Sequence, residues 1–131
     1  MHRDTALHDE RRSRGVLRLG RAFAATESAH SNAPVAAAAY ASHGVDGEAR
    51  ARLSLAAAFA FAHGLAGIVL APRIAGVLSI LACIALVAGT LLFAGSLAGA
   101  ALAQWSTTFA PFGGTLLIAG WALWAVDLAR R

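Results

Sequence analysis

The sequence predicts an all-α fold, a four-helix bundle built into a membrane, and three observations carry that expectation. First, the 131 residues are 58% hydrophobic and only 14% charged, which leaves too little polar surface to cover the apolar content in water. Second, the apolar residues run in stretches long enough to cross roughly 30 Å of hydrocarbon at about 1.5 Å per residue. Third, all 11 basic residues are arginine, and most of them flank these stretches. Six (Arg3, Arg11, Arg12, Arg14, Arg18 and Arg21) precede the first, and Arg130 and Arg131 close the chain. The expected crossings are about 22–42, 53–72, 74–103 and 109–126, with residues 1–21 as a flexible cytoplasmic tail and 22–128 as the transmembrane bundle.

The tail is polar, mixes Asp4, Asp9 and Glu10 with its arginines, and lacks helical periodicity. Span one, 22–42, is Ala-rich but carries Glu27, Ser28, His30, Ser31, Asn32 and Pro34; hydropathy alone would reject it. A loop follows with an Asp46-Gly47 turn signal. Leu53 to Pro72 is broken only by Ser54 and His63, and Ile74 to Ala103 is an uncharged run that crosses with tilt to spare. Gln104 to Thr108 form a polar turn in which Thr107 or Thr108 suits a helix cap, with Pro111 tolerated in the first turn that follows. Trp105 and Trp124 fall near opposite ends of the last hairpin, where interfacial aromatic rings prefer to lie.

Topology argues for the doubtful first span. Arginines concentrate at both chain ends, so both termini are expected in the cytoplasm, which requires an even number of crossings. Glu27 would cost roughly 2.5–3.5 kcal/mol at a helix centre, and less nearer its end. Arg73 then lies inside and the uncharged third loop outside; Arg50 and Arg52 are the exception, offset in formal charge by Asp46 and Glu48. Ala39-Tyr40-Ala41 resembles a signal-peptide cleavage site, but residues 26–34 are too polar to be the hydrophobic core of a signal. The location expected is the inner cell membrane, with several passes.

Several function classes lose their footing. The net charge of +4 comes from arginines beside spans, not from a basic face for nucleic acid. Cys83 is the single cysteine, so no intrachain disulfide or thiolate metal site can form. Without lysine there is no Walker-type phosphate loop, and no H-E-x-x-H or paired carboxylates lie among the spans. No catalytic residue, metal site or cofactor is therefore expected, and the protein is not expected to be an enzyme. The N-terminal arginines suit anionic lipid, worth about 1 kcal/mol each near the surface, though setting topology is the simpler role.

Two residue sets remain as candidates. Gly95 and Gly99 form a G-x-x-x-G pair in span three, and Gly113, Gly114 and Gly120 lie in span four; small residues let helix backbones approach closely in lipid. They suit packing of spans three and four, or a dimer face. Glu27, His30, Asn32 and His63 form the candidate intramembrane polar cluster, since matching helix ends put His63 level with about residue 33 of span one. His63 is expected to face span one and find its partner near His30 to Pro34, because an unpaired imidazole in hydrocarbon is costly. Such a cluster could bind a proton, metal or small ligand, or simply satisfy its own members.

Residues 33–126 resemble the small membrane proteins grouped as the domain of unknown function 423 family. The resemblance rests on Ala38-Ala39-Tyr40-Ala41-Ser42-His43-Gly44, on Phe59-Ala60-Phe61-Ala62-His63, and most on Leu92-Phe93-Ala94-Gly95-Ser96-Leu97, Pro111-Phe112-Gly113-Gly114 and Ala119-Gly120-Trp121. Phe59 and Ala60 stand where the family carries a polar Tyr-Gln pair, so no role of that pair transfers. The resemblance implies a multi-spanning bundle and no reaction. The expected protein is a structural, accessory or assembly component, its partners the lipid bilayer and either a second copy or another membrane protein; the alternative is a small transporter or channel subunit using the polar groups of the first two helices.

Overall fold

The computed structural model describes the backbone of residues 2–130, and side chains over 13–22, 25 and 33–130. Four long helices are present: α1 (His2–His43), α2 (Gly47–Leu70), α3 (Val77–Ala103) and α4 (Ala110–Ala129). A 3₁₀ turn, Ala71–Arg73, links α2 to α3. Among the described residues there is no strand.

The largest departure from expectation is at the N-terminus. Residues 2–21, read as a flexible tail, continue as one 42-residue helix with the first expected span. Ala, Arg, Leu and Glu are good helix formers even without an apolar stripe, which is why periodicity missed the helix. Gly20 lets α1 lean on the end of α2, since an added Cβ would stand 3.0 Å from the Ala71 carbonyl oxygen. The helix also runs through Pro34, whose missing N–H leaves the His30 carbonyl without its usual donor. Among the described residues three helical segments are long and apolar enough to cross a membrane: Gly47–Arg73, Val77–Ala103 and Ala110–Ala129. The expected first crossing, 22–42, lies partly outside the residues whose side chains are described.

The connections are short and locally built. At the start of α3 the fully buried Ser79 hydroxyl accepts from the Ala75 and Gly76 N–H groups at 3.1 and 3.0 Å and donates to the Gly76 carbonyl at 2.9 Å. At its end Gln104 takes a left-handed conformation, φ 57°, and the Trp105 N–H returns to the Gly99 carbonyl at 3.2 Å. The expected Thr107 or Thr108 cap of α4 is replaced by Phe109, with no side-chain cap bond. Thr107 contributes its carbonyl instead, accepting from the Ala110 N–H.

Each helix packs chiefly on its neighbour in the chain, α1 on α2, α2 on α3 and α3 on α4. Ala41, Leu53 and Ala101 meet at one end, Ala56, Ala94, Leu97 and Ala110 in the middle, and Ile74, Ala82, Cys83 and Trp124 at the other. Val16 of α1 joins that last cluster. The antiparallel course brings Arg14, Arg18, Arg21, Arg73 and Arg130 to one end. The opposite end holds Asp46, Glu48, Arg50, Arg52 and the uncharged turn before α4, with Glu48 and Arg52 paired.

The distribution of side-chain size is inverted relative to a water-soluble protein. Buried positions are mainly Ala, Gly, Ser and Thr, whereas Leu65, Ile84, Leu91, Phe112 and Ile118 are about half exposed or more. Small residues inside and large apolar ones outside are what helix association in lipid requires, because close packing rather than exclusion of water holds the helices together.

Candidate functional site

The polar cluster expected between the first two helices is only partly open to description. Glu27, His30 and Asn32 lie outside the residues whose side chains are described. His63 is fully described, on the part-buried face of α2 toward α4. Its Nδ1 lies 2.8 Å from the Phe59 carbonyl one turn earlier, and the Trp121 Nε1–H of α4 donates to its Nε2 at 3.3 Å. A carbonyl only accepts and an indole only donates, so the hydrogen must sit on Nδ1, and both ring nitrogens are engaged.

Among the described side chains His63 finds its partner on α4 and not on span one, where Glu27, His30 and Asn32 lie outside the described set. Gly20 beside Ala71 and Ala41 beside Leu53 fix the antiparallel register of α1 on α2, which places His63 level with roughly residue 30. Depth follows from length along the axis, but facing depends on rotation about it. The His63 ring also stacks on Phe59 (centroids 5.7 Å, 16°) and leans on Trp121 (6.1 Å, 55°). Phe59 in turn touches Phe93 of α3 at 4.7 Å. A row of four rings thus joins α2, α3 and α4. Trp121 belongs to the Ala119-Gly120-Trp121 motif, and its indole N–H, the polar handle of an aromatic residue in an apolar helix, is the feature that could have marked it as a partner.

The glycines separate into distinct roles. Gly113 presses on α3, where an added Cβ would stand 2.4 Å from the Phe93 nitrogen and 2.8 Å from the Gly89 carbonyl oxygen. Gly89 answers from the other side, where an added Cβ would stand 2.9 Å from the Leu117 nitrogen, a pairing that no four-residue spacing within span three reveals. Gly120 receives Leu86, and Gly114 only brushes Phe93. Gly95 and Gly99 do not act together. The left-handed turn at Gln104 lays the Trp105 ring over Gly99, within 2.5 Å of where a Cβ would be, whereas Gly95 faces open space.

Thr90 and Ser96 satisfy their buried hydroxyls on the Leu86 and Ser106 carbonyls. Among the described residues the buried Trp124 Nε1 has no hydrogen-bond partner. No three His, Cys, Asp or Glu side chains gather there to hold a metal ion.

With this geometry in view, residues 37–114 match the family model described as protein of unknown function (DUF423). The match runs from the last part of α1 to the first turn of α4. No curated protein and no solved structure matches the chain.

Proposed function

The chain belongs to the DUF423 family of proteins of unknown function, and from that premise we propose that it is a four-helix integral protein of the inner membrane, acting as a structural, accessory or assembly component without chemistry of its own. The observation that carries this reading is the inverted packing: alanine and glycine fill the helix contacts while large apolar side chains face outward. A transport path through α1 and α2 would call for polar groups turned toward water between helices. His63 instead spends both nitrogens on Phe59 and Trp121, which supports a structural use.

The packing of α1 along α2, from Ala41 beside Leu53 to Gly20 beside Ala71, supports a fourth crossing by α1. A helix that accompanies a crossing helix over its whole length shares its crossing, and its polar groups can then be covered by neighbours. The arginine-rich end is assigned to the cytoplasm by the bias of basic residues. Reporter fusions test this: a cytoplasm-dependent reporter is expected to be active at both termini. A periplasm-dependent reporter active at the N-terminus alone would overturn the fourth crossing. Release of the protein by alkaline washing without detergent would overturn the membrane assignment itself.

A further inference from the structure

Because α1 rests on α2, a groove stays open between α1 and α3. Its first section, about 400 Å³, runs from Leu19, Ala22 and Ile74 past Cys83 and Val87 to Leu91. A second section of about 210 Å³ continues from Leu91 past Gly95 to Ala98, floored by alanines of α2. The described lining of the first section is wholly apolar. Its α3 wall extends from Ile80 to Leu91, roughly 16 Å of helix, about half of a 30 Å hydrocarbon layer.

That length is the depth of one leaflet, and the open end of the groove is basic. Arg18 is exposed one helical turn before Ala22, Arg14 lies a turn further out, and Arg73 adjoins Ile74. We propose that this groove is a binding site for an anionic phospholipid of the arginine-side leaflet, one acyl chain lying along α3 from Ile80 to Leu91 and the phosphate held by Arg18. The site rests on the membrane reading given above. A guanidinium matches phosphate oxygens in a planar two-point contact, and the apolar wall matches the chain beneath it. A surrounding lipid would slide past a smooth helix face; a chain seated between two helices and anchored at its head exchanges more slowly.

The test reconstitutes the full chain into vesicles of equal phosphatidylglycerol and phosphatidylcholine, extracts it in mild detergent and counts retained lipids by native mass spectrometry. Flotation of the same vesicles reports membrane insertion separately. One retained phosphatidylglycerol is expected, favoured about fivefold over phosphatidylcholine, the discrimination of about one arginine near a surface. Arg18→Ala should bring that preference close to one. Ala88→Phe, or Ile84→Phe at the more exposed rim if the first does not fold, should close the groove and remove the retained lipid whatever its headgroup. Leu102→Phe, on an exposed face away from the groove, should change neither. Equal retention of both lipids, a preference that survives Arg18→Ala, or lipid retained after the groove is filled would overturn the site while leaving the membrane reading intact. A lipid-free dimer would show that a second copy fills the groove, which also overturns it. Failure of the chain to float with the vesicles would overturn the membrane reading and the lipid site with it.

Discussion

The two sides of α3 are built on opposite terms. Toward α4 it meets a helix with backbone against backbone, Gly89 opposite Gly113, leaving no space for a single methyl group. Toward α1 the same helix borders an open groove, where Gly95 has nothing within reach of an added Cβ. The first side is closed by glycine, while the second is left open beside a helix of mixed polarity. The contrast teaches that glycine content alone does not identify a contact. Gly95 and Gly113 are equally small, and only the path of the neighbouring backbone decides which of them is indispensable.

The sharpest way to break this comparison is to fill its closed side. Gly113→Leu must displace the α3 backbone, not a side chain, and its cost should exceed the roughly 1–3 kcal/mol of ordinary overpacking. Thermal unfolding in detergent, or the level of folded protein in membranes, should register a severe loss; tolerance would mean that α3 and α4 do not pack as closely as Gly89 and Gly113 indicate. The seam of rings between α2 and α4 should respond more mildly. Trp121→Phe keeps the ring but removes the donor to His63, with an expected cost of about 0.6–1.7 kcal/mol in a membrane helix contact. His63→Ala should cost a similar amount and, combined with Trp121→Phe, little more, because the two share one bond. Additive losses would separate them. At the open side Gly95→Ala should leave stability unchanged or slightly raised, since alanine is the better helix former and meets nothing there. A marked loss would place another helix in that space.

The helices α2, α3 and α4 were legible because long apolar runs leave hydropathy little choice, and their limits moved by three residues or fewer except at the start of α2, which lies six residues earlier, at Gly47. The helix of residues 2–21 was not legible, since its arginines and acids form no stripe for periodicity to find. The site was half legible for a related reason. Rise per residue gave the axial level of His63 along α1, but α2 is apolar on nearly every face, so no pattern in its sequence set its rotation. The pairing of Gly89 with Gly113 was not legible, because folding the hairpin evenly about Gln104 would bring Gly89 level with Ala119 instead. A spacing of four between glycines on one helix runs along that helix and does not report what lies opposite on the next.

The preference of each helix for its chain neighbour also bears on how the molecule is made. Contacts that are local in sequence need little loop-closure entropy before they become favourable, and folds dominated by them form quickly. The turn from Gln104 to Phe109 joins the two most closely packed helices, so once synthesis has passed Ala129 the hairpin of α3 and α4 holds every residue of its own interface. It can close as a unit without waiting for α1, whose lean against α2 can be adjusted afterwards. The order of assembly would then follow tightness of contact more than order of emergence from the ribosome.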